Sequence, residues 1–175
     1  MKYREDGFRS FDRSYVAVPV TEKLRKLIHA FHGAKEAEYI LTYRYIDHEA
    51  GMTLEVLAAA ARTGKGFRFW DQNNEITVKI RIGSIADLEC YYLDDDEGQL
   101  YGWYKEKVDD LFVYDVNDDV LQSRQMDFLD EFRQPEYPDD VQVCLLKKDC
   151  GVEGCWVRIE GLDEENHRFL GTLLN

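Results

Sequence analysis

Apolar positions recur along this chain with two different periods. Tyr15-Val16-Ala17-Val18 is a short run of strand-forming residues stopped by Pro19. Thr21 then heads a stretch in which Leu24, Leu27, Ile28 and Phe31 recur at i, i+3, i+4 and i+7, the spacing of one helix face, with Gly33 as its stop. Residues 39–46 are aromatic and β-branched and predict a second strand. After Gly51, Thr53 precedes Leu54, Leu57, Ala58 and Ala61, again at helical spacing, before Arg62 and Gly64. This predicts a second helix whose small side chains at 58–61 let it sit close to a sheet.

Further along, residues 67–70 and 76–82 predict a strand pair around the turn Asp71-Gln72-Asn73-Asn74. Ile76, Val78, Ile80 and Ile82 alternate strictly with polar residues, so one face is dry and the other wet. Residues 88–93 and 100–104 predict a hairpin across Asp94-Asp95-Asp96-Glu97-Gly98, and 111–116 a further strand. Asp118 or Asp119 is a fitting cap for a helix running to Phe132, with Leu121, Met126, Phe128, Leu129 and Phe132 as its apolar set. Residues 134–140 hold two of the three prolines and read as a linker. Strands follow over 141–146, 155–159 and 168–174. The expected fold is α+β, a mostly antiparallel sheet with two or three helices on one face. The expected organisation is an α+β domain over 1–133, a linker over 134–140 and a β-rich segment over 141–175.

A chain of 175 residues with 45% apolar side chains is long enough to bury a core. No apolar run approaches the ~20 residues of a membrane helix, and the start Met1-Lys2-Tyr3-Arg4-Glu5-Asp6 lacks the apolar segment of a secretory leader, so a cytosolic protein with no membrane partner is expected. The net charge of −13 is unevenly spread. Residues 1–90 carry 14 basic and 13 acidic side chains, and residues 91–175 carry 8 and 22. Between 94 and 140, 16 carboxylates face only Lys105, Lys107, Arg124 and Arg133. Nucleic acid is therefore not expected as a ligand, because phosphate binding needs clustered Lys and Arg. The acidic stretch reads either as a solvated face or as a surface that recognises a basic protein.

Few motifs carry chemistry. Cys144, Cys150 and Cys155 with His167 have ligands soft enough for zinc, but not the close pairing of structural sites, and the four cysteines, with Cys90, are expected to be free thiols. His29 and His32 form an i, i+3 pair off the apolar stripe and read as helix-terminal residues. Asp115-x-Asn117-x-Asp119 begins like a calcium loop but has Val120 and Met126 where Gly and Glu are needed, which favours helix capping. Thr63-Gly64-Lys65-Gly66 lacks the hydroxyl and the following helix of a phosphate loop and reads as a helix stop. No serine sits in a nucleophile elbow. No catalytic residue, metal ligand or cofactor is assigned.

Two stretches resemble known families. Residues 39–70, read as a Tyr-rich strand, a turn, an alanine-rich helix and a Gly before an aromatic strand, resemble the N-terminal domain of ribulose-bisphosphate carboxylase-like proteins. The resemblance implies a local α/β unit; the family's paired serines and Thr-Trp are missing, and carboxylase activity does not follow. The C-terminal pattern Cys155-Trp156-Val157-Arg158-Ile159-Glu160 and Phe169-Leu170-Gly171-Thr172-Leu173-Leu174-Asn175 resembles a small bacterial immunity-like module of unknown function. In that family the strand runs on beyond the Asn, so the resemblance implies a truncated chain or an incomplete module, and it assigns no residue a role.

The aromatics Tyr91, Tyr92, Tyr101, Trp103 and Tyr104 bracket the acidic turn. Rings beside carboxylates suit cationic partners through area, cation–π contact and charge pairing. The leading expectation is a non-enzymatic binding module, immunity-like or regulatory, that engages a basic protein. Its surface is expected to comprise Asp94, Asp95, Asp96, Glu97, Tyr101, Trp103, Asp109, Asp110, Asp118 and Asp119. The alternatives are a small hydrolase using carboxylates with His29, His32 or the late cysteines, and a structural fragment of a larger protein.

Overall fold

The computed structural model describes residues 2–10, 13–71, 75–147 and 151–174. The elements in chain order are α1 (Tyr3–Asp6), β1 (Tyr15–Pro19), α2 (Glu22–Leu27), β2 (Tyr39–Asp47), β3 (Gly51–Thr63), β4 (Gly66–Phe69), β5 (Lys79–Arg81), β6 (Tyr91–Leu93), α3 (Gln99–Asp110), α4 (Asp118–Arg124), β7 (Arg133–Gln134), β8 (Tyr137–Lys147), β9 (Gly151–Asp163) and β10 (Arg168–Leu173). They form two compact units, one of Met1–Tyr45 with Met52–Tyr114, the other of Ile46–Gly51 with Asp115–Asn175. The fold is α+β, and the strand pairings with a described register are all antiparallel.

The first unit is built on a sheet of order β4-β3-β2-β1-β6, with β5 also paired to β3. β3 is the stretch whose spacing predicts a helix. Its first ten residues are buried, so it is covered on both faces. A strand of that kind has no wet side and therefore no alternation to read; an apolar run with alanines then matches the helical template by default. Local helix propensity favours Ala, but pairing with β2, β4 and β5 satisfies the backbone of β3 and decides the outcome. The α/β unit expected over 39–70 is consequently three consecutive strands, and 63–66 is the turn between β3 and β4. The turn residues Gln72, Asn73 and Asn74 lie outside the described residues.

One core cluster of this unit brings Tyr15, Leu41, Tyr43, Tyr45, Leu57 and Ala58 together with Leu100, Tyr104, Val108 and Leu111. Leu100, Tyr104 and Val108 are spaced at i, i+4 and i+8 and all are buried, although α3 is kinked at Tyr104. Residues 100–104 are therefore helix where a strand was expected; over five residues the two periods cannot be told apart. Residues 111–114, also expected as strand, are a 3-10 turn. Thr21 caps α2 as expected, accepting the Leu24 N–H at 3.2 Å, although that helix ends at Leu27.

The second unit carries a sheet of order β10-β9-β8-β7. Its core holds Leu129, Val141 and Ile159 with Met126 and Val143 against them, and α4 lies on β9 and β8. The expected helix over 118–132 splits into α4 and a 3-10 turn, Asp127–Phe132. The cap of α4 is Asn117, whose side chain accepts the Val120 N–H at 2.9 Å, rather than Asp118 or Asp119. The stretch read as a linker, 134–140, is the β7–β8 hairpin, tightened where Gln134 Oε1 accepts the N–H groups of Glu136 and Tyr137. The three late strands stand where expected, β8 and β9 being longer, with a bulge between Leu170 and Gly171. With α3 on one sheet and α4 on the other, the helices are divided between two sheets. No helix among the described residues is long and apolar enough to cross a membrane.

Gly33 sits at φ +72°, and a Cβ there would meet the Trp70 indole at 2.2 Å. Gly33→Ala adds left-handed strain to that overlap and is expected to cost about 2–4 kcal/mol, read as a shift in the chemical-denaturation midpoint. A cost below about 0.5 kcal/mol would show that the Trp70 ring is not held against this turn.

Candidate functional site

In the first unit β4, β6, the acidic turn 94–98 and the start of α3 enclose an open groove of about 590 Å³. Phe67, Phe69, Tyr92 and Leu93 supply its apolar lining, and four carboxylates, Asp94, Asp95, Asp96 and Glu97, outnumber the single cation Lys65. A second cavity of about 380 Å³ shares Phe69 and is completed by Trp70, Asp71, Trp103 and Tyr104. Volumes in this range hold a side chain or a small ligand.

The four carboxylates of the turn have different tasks. Asp95 accepts the backbone N–H groups of Leu100 at 2.7 Å and Tyr101 at 2.8 Å, satisfying donors that the N-terminus of α3 would otherwise leave open. Gly98, in the left-handed region, sets the entry to that helix without a capping side chain of its own. Asp94, Asp96 and Glu97 have no hydrogen-bond or ion-pair partner among the described residues, and all three are exposed.

The remaining expected residues divide as follows. Asp109 accepts from Lys105 at 2.5 Å and from the Tyr101 hydroxyl at 2.8 Å; these bonds, Lys105 first, hold its carboxyl below the ordinary range. Tyr101 is thus tied to its own helix, while Trp103 is half exposed at 50% and lines the smaller cavity. Asp110 is exposed at the end of α3. Asp118 and Asp119 belong to the second unit, where Asp119 accepts the Leu162 N–H at 2.9 Å. The structure brings Asp94, Asp95, Asp96 and Glu97 together around one groove and assigns Asp95, Tyr101, Asp109 and Asp119 to intramolecular bonds.

The second unit contains a network that sequence reasoning missed. His48 places Nδ1 2.8 Å from Asp139 Oδ2 and Nε2 2.9 Å from Glu160 Oε2. Both ring nitrogens face carboxylates, which selects the imidazolium. The Asp139 contact raises the pKa of His48, and burial opposes it. Burial alone would raise Asp139, but a bidentate pair with Arg124, at 2.8 and 2.7 Å, and then His48 bring it below its usual value. Glu160 is lowered chiefly by His48. The neighbouring Asp140 pairs with Arg158, which also donates to the Glu49 carbonyl. His48 is 91 and 112 residues from its two partners, so no spacing rule points to them.

The other sequence candidates separate in space. Val143 pairs with Cys155 across β8 and β9, so Cys144, the next residue, lies on the opposite face of the sheet from Cys155. Cys150 lies outside the described residues, and Cys90 is buried with its thiol pushed up to about 11 by desolvation. His29 and His32 are exposed beyond the end of α2, His29 within 2.9 Å of the Lys26 carbonyl. Among the described residues no three His, Cys, Asp or Glu side chains come together as a metal site.

The His48 network fixes a pH dependence. A raised His48 contributes stability that is complete below its ordinary value of 6.5 and is lost as pH rises through the folded-state value. Lowered Asp139 and Glu160 contribute stability that is present above ordinary carboxylate values and is lost as pH falls through their folded-state values. The melting temperature is therefore expected to be highest between about pH 4.5 and 6.5 and to fall toward pH 9. In His48→Gln the alkaline limb is expected to flatten. An unchanged alkaline limb in that variant would contradict the network.

No known protein family matches this chain, and neither a curated protein nor a solved structure is significantly similar to it, so geometry alone carries the functional reading.

Proposed function

We propose that this protein is a non-enzymatic binding module that engages a basic polypeptide through the acidic and aromatic groove of its first unit. The observation that carries the reading is the pairing of an aromatic groove of about 590 Å³ with three exposed carboxylates, Asp94, Asp96 and Glu97, that have no partner among the described residues. Like charges held this close repel one another, and a Lys or Arg side chain relieves that repulsion while its alkyl stem covers the rings. Nucleic acid is the wrong partner on the same ground. A regulatory or immunity-like role, in which a basic protein is held and neutralised, uses the same chemistry.

The proposed surface is confined to the first unit. Asp95 belongs to the frame, since removing it opens the N-terminus of α3. Asp118 and Asp119 belong to the second unit and serve as controls.

The test is a titration with a fluorescent twelve-residue peptide of alternating Lys-Ser and Arg-Ser, followed by anisotropy at low and high salt. Asp94→Lys, Asp96→Lys and Glu97→Lys together are expected to weaken binding on the order of tenfold or more, and Asp118→Lys to leave it within about twofold. Salt is expected to weaken the parent protein and not the triple variant. Equal binding by parent and triple variant would overturn the reading.

A further inference from the structure

Several exposed or partly buried rings of the first unit carry one of the chain's own cations. Arg62 lies over Tyr91 with 4.8 Å to the ring centroid, Arg68 over Trp70 at 4.4 Å and Lys105 over Tyr101 at 5.0 Å. Trp70 also lies against Gly33. Trp103 breaks this pattern. It is half exposed, lines the smaller cavity, and carries neither a cation nor a ring partner among the described residues.

The cavity's other groups complete a recognisable chemistry. Asp71 lines it, exposed, with no hydrogen-bond or ion-pair partner among the described residues. Tyr104 has a hydroxyl pushed up to about 12 by burial and then by Asp71, so it stays neutral at ordinary pH. The Trp103 indole, a carboxylate without a partner among the described residues and a neutral phenol line, with Phe69 and Trp70, an open cavity of about 380 Å³, which is space for one long side chain.

We infer that this cavity is a subsite for a single arginine side chain, with its guanidinium stacked on Trp103 and paired to Asp71. The inference rests on the proposal that the first unit binds a basic polypeptide, and it names the residue type that polypeptide must present. Arginine is favoured over lysine because a planar guanidinium uses its face on the indole and its edge on the carboxylate at once, whereas an ammonium is a compact, strongly hydrated point charge. The unit's own Arg68 on Trp70 and Arg62 on Tyr91 show the same stacking within the chain.

The experiment is a two-dimensional ¹⁵N NMR titration of the full chain with N-acetyl-arginine amide, N-acetyl-lysine amide and tetramethylammonium. The Trp103 indole resonance is assigned by its loss in Trp103→Phe. The arginine probe is expected to shift the Trp103 indole and the Asp71 amide saturably, with lysine amide at least about threefold weaker. Asp71→Asn and Trp103→Ala are each expected to weaken arginine binding on the order of fivefold, read at the Trp70 indole, and Trp103→Phe to retain part of it. Equal binding of arginine and lysine amides, stronger binding of tetramethylammonium, or no shift at Trp103 would overturn the subsite. If the basic peptide still responds to the triple charge reversal while Trp103 does not move, the subsite fails and the groove stands. The converse result removes the groove and leaves the subsite.

Discussion

The first unit depends on the seating of α3 on the tyrosine-rich face of its sheet. Leu100, Tyr104, Val108 and Leu111 pack against Tyr15, Leu41, Tyr43 and Tyr45. Each fully buried apolar side chain in such a contact contributes roughly 1.5–3 kcal/mol. Tyr104 departs from helical geometry at φ −116° and ψ 18°, so α3 is kinked within this contact, and Trp103, just before the kink, is left half exposed. Asp95 ties the turn to the helix through two backbone donors. The groove and the smaller cavity follow from these two constraints.

Charge is then organised around the frame. The sequence shows only an acidic stretch, but the structure sorts it by task. Asp95, Asp109 and Asp119 bond to their own chain, whereas Asp94, Asp96 and Glu97 have no such bond among the described residues. In the second unit the same principle works in reverse. Asp139 and Asp140, read from sequence as part of an acidic linker, are buried and neutralised by Arg124, His48 and Arg158. Counting carboxylates along a segment cannot separate a free acid from a compensated one, because compensation depends on residues distant in the chain.

The strands β1 and β2 and the three late strands were legible because β-branched and aromatic runs bounded by breakers have few other uses. The failures have definite causes. β3 is buried on both faces, so its periodicity is empty and its alanines suggest a helix. Residues 100–104 are too short a window to separate period 2 from period 3.6, and the acidic turn before them looked like a hairpin although Asp95 uses it as a helix cap. The prolines of 134–140 signalled a break, but they punctuate a two-stranded hairpin. The acidic turn and the rings that flank it, Trp103 among them, were visible as a cluster along the sequence. The cavity that Asp71 shares with Trp103 and Tyr104 was not visible, because it depends on α3 being a helix that brings these two residues to the end of β4.

The most direct measurement of the central claim is a backbone ¹⁵N chemical-shift map of the full chain with a saturating Arg-rich basic peptide. Binding at the groove perturbs amides clustered over residues 66–71 and 91–104 and leaves the environment of His48, Asp139 and Glu160 unmoved. Perturbations centred on the second unit, or none at saturating peptide, would contradict that claim.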